Sequence, residues 1–243
     1  MINTEKNIGA IIFSRFDSRR LFGKALTKIN GVEVLGRVIE RTKHIPGLSQ
    51  IIVATSNREV DDPIVEYAHR WGVKTYRGSV SNVAQRASET CVEFGFEAFL
   101  RVCGDRPFFD PNIASEAISL YNSSCFDMVT STGETSLPEG LTCEVVNAKS
   151  LKNHMRDFTE YDIEHVTAFF YNNRKSLNIG YVQFPDLKKY SGKTKLVIDE
   201  DIDLLRAEEI ASITDNMRID ERLSARVNLE FAMNWERRHT GSG

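Results

Sequence analysis

An α/β fold built on a mostly parallel sheet is predicted by two features of the sequence. Short β-branched or apolar runs recur at Ile8–Phe13, Gln50–Thr55, Phe99–Cys103, Asp127–Ser131, Cys143–Asn147, Ile179–Phe184 and Lys195–Ile198. Amphipathic stretches fill most of the gaps between the early runs, and such alternation stacks strands in parallel through helical crossovers. The 243 residues, 41% hydrophobic and 27% charged, are long enough for a substantial core, and 15 Gly with 6 Pro excludes a collagen-like, linker-dominated or disordered chain.

Ile8–Phe13 reads as the first strand. Val34, Leu35, Val38, Ile39 and Thr42 share one helical face, as do Ile64, Val65, Ala68 and Trp71, so both segments are expected to be crossover helices against the sheet. Asp61-Asp62-Pro63 supplies acidic residues and a proline at the start of the second. Phe99–Cys103 ends on Gly104-Asp105, turns at Pro107 and enters a helix near Pro111. The best break is Pro138-Glu139-Gly140, after which the alternation loosens. Residues 141–184 are expected to form an inserted strand–helix–helix–strand lobe for substrate or a partner subunit, before Lys195–Ile198 returns to the sheet. Leu223, Val227 and Phe231 recur at i, i+4, i+8, followed by Met233 and Trp235, and predict a C-terminal helix packed on a single domain over residues 1–239. Residues 240–243 read as a frayed tail or cloning remnant.

Composition narrows the function classes. Thirty-one basic against 34 acidic residues give a net charge of −3, so general nucleic-acid binding is not expected. Phe94, Phe96, Phe99, Phe108 and Phe109 cluster about a strand and its exit, where burial explains them better than base stacking. Cys91, Cys103, Cys125 and Cys143 lack the close pairing of a zinc or redox site and read as four reduced thiols of a cytoplasmic protein. The apolar run at Ile8–Phe13 is too short for a signal segment or a membrane span. His44, His69, His154 and His239 show no metal-binding spacing.

Chemistry concentrates where strands end. Ser14-Arg15-Phe16-Asp17-Ser18-Arg19-Arg20-Leu21-Phe22-Gly23-Lys24 places four cations in a loop after the first strand, and at the carboxyl edge of an open α/β sheet such a loop suits a triphosphate. It is neither a Walker loop, because Ala25 follows Gly23-Lys24 and Ser18 stands where the first glycine belongs, nor a GxGxxG turn. Asp105 projects from the same edge, where a carboxylate holds Mg²⁺ together with water and phosphate oxygens. Lys195-Leu196-Val197-Ile198-Asp199 ends similarly, which makes Asp199 the second candidate metal ligand and leaves Asp201 as a helix N-cap.

These segments carry a resemblance. The chain resembles the cytidylyltransferases of surface-polysaccharide synthesis, nearest the SpsF-like spore-coat branch, with the CMP-KDO and CMP-sialic acid synthetases as wider relatives. Residues 14–24 are similar to the family's Ala-Arg-x-x-Ser-x-Arg-Leu-Pro-Gly-Lys loop. Further similarity lies in Ile52-Val53-Ala54-Thr55, Asp61-Asp62-Pro63-Ile64, Tyr76-Arg77-Gly78-Ser79, Arg101–Asp105 with Pro107, Glu164-His165-Val166-Thr167 and Leu196-Val197-Ile198-Asp199.

The resemblance implies a Rossmann-like nucleotidyltransferase fold that converts CTP and a sugar acid into a CMP-sugar and pyrophosphate. By position, Arg15, Arg20 and Lys24 would hold the β- and γ-phosphates, with Ser14 and Gly104 beside them, and Asp105 and Asp199 would hold Mg²⁺. Gly78, Ser79, Asn82 and Arg86 would meet the cytidine. Arg106, Glu144, Glu164 and His165 would face an acidic acceptor. A homodimer is implied, with no nucleic-acid or membrane partner.

Four departures accompany the match. Asp17 replaces a glycine in the phosphate loop, Phe22 a proline, Asn82 a frequent aspartate, and Asp199-Glu200-Asp201 an Asp-Thr-Pro. Arg106 is also unusual beside Asp105 and would meet an anionic group on an atypical acceptor. Two alternatives stay open: a glycosyltransferase of the related nucleotide-sugar fold, since Asp199-Glu200-Asp201 spells a DxD, and a non-catalytic nucleotide-binding module with a weakened loop.

Overall fold

The computed structural model describes residues 6–18, 20–133 and 137–239, so the expected tail at 240–243 lies outside the described residues. The chain begins with β1 (Ile8–Phe13), the hairpin of β2 (Lys28–Ile29) and β3 (Val32–Glu33), and α1 (Val34–Lys43). The strand–helix unit then repeats through β4 (Ile51–Ser56), α2 (Asp62–Arg70), β5 (Lys74–Gly78), α3 (Val83–Phe94), β6 (Ala98–Cys103) and α4 (Pro111–Ser123). Next come β7 (Met128–Thr130), β8 (Glu144–Asn147), α5 (Ala148–His154), α6 (Glu160–Glu164), α7 (Ala168–Asn172) and β9 (Ile179–Tyr181). The chain closes with α8 (Pro185–Lys188), α9 (Asp201–Thr214), α10 (Ile219–Leu223) and α11 (Ala225–His239).

Among the described residues, seven strands form one sheet in the order β5-β4-β1-β6-β8-β7-β9. β5, β4, β1 and β6 run parallel, and β8 is antiparallel to both β6 and β7. This is the mostly parallel mixed sheet that the alternation predicts. The chain winds outward from β1 to β5 and then returns to place β6 on the other side of β1, so the strand order reverses between β1 and β6. Ligands of open α/β sheets bind in the crevice beyond the carboxyl ends at such a reversal. The cationic loop leaves β1 there, and Gly104-Asp105 leaves β6 beside it.

Both sheet faces are covered, which is why the central strands read as unbroken apolar runs. Ile8, Ala10 and Ile12 pack on one face with Val38, Ile39 and Ile113, while Ile11 packs on the other with Ala84, Ala87 and Phe170.

Several elements differ from the sequence expectation, each for a local reason. Lys195–Ile198 is not a strand: Leu196 N–H donates to Glu139 O (2.7 Å) and Ile198 N–H to Asp105 O (2.9 Å), so two separate loops use its backbone. Residues 141–184 do not stand apart from the sheet, because β8 lies between β6 and β7 and β9 lies at the edge; only the helical stretch 148–172 lies beside it. Asp201 is the first residue of α9, and Glu200 is its N-cap in a capping box with Asp203. Leu223 closes α10, so α11 buries Ala225, Asn228, Leu229, Ala232 and Trp235, one step out of phase with Val227 and Phe231. Two features were not expected. β5 is a polar edge strand, and β2–β3 turns at Asn30-Gly31, whose positive φ values of 46° and 79° mark a turn signal plain in the sequence.

Asp203 ties α9 to the segment before it. Its fully buried carboxylate accepts from the Asp199 and Glu200 N–H groups and pairs with Lys195 at 3.0 Å and with Arg206. Burial alone would raise its pKa, yet the hydrogen bonds from Asp199, Lys195 and Arg206 hold it below the ordinary aspartate value. The Asp215 carboxyl is likewise held low, by Arg37 and Asn30 against the cost of burial. A carboxylate whose folded pKa is depressed adds stability above its unfolded pKa of about 3.9, and that stability is lost as pH falls through the folded value. The urea midpoint should therefore stay level from neutral pH to about 5 and fall below about 4. Titrating urea midpoints against pH for wild type and Asp203→Asn should show the acid step diminished in the variant.

Candidate active site

Lys24 is the centre of the site. Its ammonium donates to Asp105 Oδ2 (2.8 Å), to the Ile198 carbonyl (2.7 Å) and to Asp199 Oδ1 (3.1 Å), and Arg20 pairs with the same Asp199 oxygen at 3.0 Å. Four predicted residues from three distant segments thus form one ionic cluster. The backbone makes the approach possible. Gly23 turns at φ 70° just before Lys24. At Gly104 a Cβ would stand 2.8 Å from the Ser14 Cβ and 3.0 Å from the Phe13 carbonyl, so no side chain fits between the ends of β1 and β6.

Two clefts flank the cluster. The first, of about 350 Å³, is lined by Ser14, Arg15, Arg20, Lys24, Arg86, Gly104, Asp105, Glu164 and His165, together with Ser18, Val83 and Arg101. The second, of about 1070 Å³, is lined by Arg106, Asp199, Lys193, Lys195 and Arg206, among others. Arg20, Arg101, Cys103, Asp105 and His165 line both, so the clefts meet there.

The remaining predicted residues are placed differently. Gly78, Ser79 and Asn82 line neither cleft: Asn82 Oδ1 caps α3 by accepting from Gln85 N–H, and Ser79 accepts from Asn82 N–H through its hydroxyl and from Arg86 through its carbonyl. Only Arg86 of that group reaches the first cleft. It is 1% exposed, its Nε has no partner among the described residues, and burial together with the nearby Arg15 lowers its pKa to about 10. A buried cation with a free donor favours an acceptor group in the cleft. Glu144 also lines neither cleft, since its carboxylate is turned into the sheet toward Arg101 and Tyr171. Arg106 faces the second cleft, with Nη1 donating to the Thr142 carbonyl (2.6 Å) and hydroxyl (2.8 Å).

Asp17 does not direct an unpaired charge at the cationic loop. Arg58 Nη1 lies 2.7 Å from its carboxylate, and that hydrogen bond holds the Asp17 pKa below the ordinary value. Asp61, completely buried, accepts from Phe16 N–H at 2.7 Å, is hydrogen-bonded by the Ser56 hydroxyl, and lies 3.6 Å from Arg58. The residue that sequence assigns to a helix start therefore clamps the backbone of the cationic loop. Phe22 is 68% exposed and packs edge-on against Phe16, with centroids 5.1 Å apart.

Asp105, Asp199 and the Ile198 carbonyl are hard oxygen donors converging on one point. No group of three or more His, Cys, Asp or Glu gathers as a metal cage among the described residues. That set fits Mg²⁺, which is commonly held by one or two carboxylates with water and substrate phosphates filling its octahedron. Arg58 lies in none of the segments that carry the resemblance, and Asp61 and Arg101 lie in two of them without a site role assigned. For Arg101 a signal exists, because it is the one charge inside the otherwise apolar run Ala98–Cys103.

Comparison with known proteins identifies the family. Residues 9–227 match the family model described as cytidylyltransferase. The chain is 30% identical over 222 residues to a 3-deoxy-manno-octulosonate cytidylyltransferase of Chlamydia trachomatis serovar A, covering 85% of this chain and 83% of the relative. It is 26% identical over 205 residues to the spore coat polysaccharide biosynthesis protein SpsF of Bacillus subtilis, covering 81% and 84%. A solved cytidylyltransferase from Leptospira borgpetersenii superposes with a TM-score of 0.83 at 22% identity, covering 97% of this chain and 96% of that one.

Proposed function

The chain belongs to the cytidylyltransferase family, as a CTP-dependent nucleotidyltransferase, and from that premise we propose that it joins CTP to an acidic sugar of surface-glycan synthesis. The observation that carries this reading is the junction of two clefts at Asp105, between a cationic loop on one side and Arg106, Lys193 and Lys195 on the other. CTP would occupy the first cleft with its triphosphate along Arg15, Arg20 and Lys24. The acceptor would occupy the second, and its anionic group would meet the cations there. The acceptor hydroxyl attacks the α-phosphorus in line, an O–P bond forms as the bond to pyrophosphate breaks, and the hydroxyl proton passes to water. No group of the protein becomes covalently attached, so the chain contributes position and charge. Asp105 and Asp199 would hold Mg²⁺, which on binding would offset phosphate charge at the reacting end of the nucleotide. Lys24, now shared by those carboxylates, would turn to the phosphates.

A non-catalytic module is motivated by Asp17 and Phe22, and the Asp17–Arg58 pair answers the first of these two grounds. A calorimetric titration of CTP with and without Mg²⁺, with UTP, ATP and GTP as controls, tests the proposal. Selective CTP binding should tighten with Mg²⁺, and Asp105→Asn should lose about tenfold of that gain, about 1.4 kcal/mol. Wild-type protein that binds no CTP would overturn it.

A further inference from the structure

Arg101 stands in the middle of β6 and borders both clefts. Across the sheet its neighbour on β8 is Glu144, whose neighbour on β7 is Thr130, so the three form one cross-strand row. The side chains connect along that row. Arg101 Nη1 lies 3.3 Å from Glu144 Oε2, Tyr171 donates to Glu144 Oε1 at 3.0 Å, and the Tyr171 and Thr130 hydroxyls are 2.7 Å apart. Glu144 is thereby held within the sheet, its side chain 5% exposed, while that of Arg101 remains 20% exposed toward the clefts.

A buried ion pair is often no more stabilising than apolar residues of similar volume, so stability is a weak reason for the Arg101–Glu144 pair. One long contact to Glu144 is the only hydrogen bond Arg101 makes among the described residues, and it leaves most of the five guanidinium donors open. Phosphoryl transfer requires one atom common to nucleotide and acceptor, and that atom must lie where the clefts meet. Of the cations at the junction, Arg20 sits on a loop, is committed to Asp199 and has a largely exposed side chain, whereas Arg101 is fixed on a strand from behind. We infer that Arg101 is the cation that meets the α-phosphate, and that Glu144 and Tyr171 are positioning residues which aim it. The inference rests on the cytidylyltransferase reading above. During transfer Arg101 stays protonated and donates to the α-phosphate oxygens as their charge is redistributed.

The test compares CMP with cytidine, which differ only by that phosphate, in calorimetric titrations without Mg²⁺. Wild-type protein should bind CMP more tightly than cytidine. Arg101→Gln should weaken CMP by about tenfold or more and leave cytidine within about twofold. Arg101→Lys, which keeps a cation beside Glu144 and serves if the glutamine variant does not fold, should lose part of the CMP preference, as should Glu144→Gln. CMP affinity unchanged in the Arg101 variants, or CMP and cytidine weakened alike, would overturn the role of Arg101. Wild-type protein that binds neither ligand would overturn the nucleotide reading itself.

Discussion

Lys24→Met should lower the rate of pyrophosphate release from CTP and acceptor by about 10²–10³-fold, the loss typical of removing one preorganised group that stabilises transition-state charge. The same substitution should also change the unliganded protein. Lys24 is the ammonium shared by Asp105 and Asp199, and its side chain is only 12% exposed. Its loss leaves two neighbouring carboxylates, of which Asp199 alone keeps an ion pair among the described residues, with Arg20. Breaking a fully buried pair costs about 3–5 kcal/mol, and the partial exposure of Asp105 reduces that to roughly 2 kcal/mol here. A divalent cation can replace the missing charge, so Mg²⁺ should raise the melting temperature of Lys24→Met by more degrees than that of wild type. Thermal scans with and without Mg²⁺ measure this directly. Equal Mg²⁺ shifts in the two proteins would mean that the carboxylates do not act as a pair.

Asp61→Ala should raise the KM for CTP by about tenfold and cost about 3 kcal/mol of stability, although Asp61 lines neither cleft. The alanine would leave the Phe16 N–H, the Ser56 hydroxyl and one side of Arg58 without their acceptor in a fully buried position. Arg58 would then keep only Asp17 and the Ser56 hydroxyl as side-chain partners among the described residues, and the loop carrying Arg15, Arg20 and Lys24 would lose its side-chain anchor at Phe16. Asp61→Asn keeps an acceptor for Phe16 N–H and should recover much of the KM while remaining less stable than wild type. Steady-state kinetics on both variants, beside urea titrations, separate the loop effect from the stability effect.

The parts of this site that sequence reveals are those where residue type alone carries chemistry. Arg15, Arg20, Lys24, Asp105 and Asp199 are charges at the ends of apolar runs, and the structure brings them together. The parts it hides are those where a side chain leaves its own element. Asp61 looks like an N-cap because it precedes a proline-led helix, yet its carboxylate serves a loop 45 residues earlier. Glu144 is assigned to the acceptor by the resemblance alone, yet its carboxylate is turned inward to Arg101 and Tyr171. Likewise Lys195–Ile198 has the composition of a strand, and only its two backbone bonds to separate loops disqualify it. Asn30-Gly31 is different, because its turn chemistry is legible from residue type alone.

The bond from Lys24 to Asp199 spans 175 positions, and Asp105 lies between them in sequence. A nascent chain that has emerged as far as α4 already holds the cationic loop and the first carboxylate, but the second arrives only when α9 folds back. Until then Lys24 has one carboxylate partner of its two, and the position proposed for a divalent ion is half built. Closing so long a loop places this contact among the slow, non-local steps of folding. Nucleotide and metal affinity should therefore emerge together and late during synthesis, so that an incomplete chain sequesters neither.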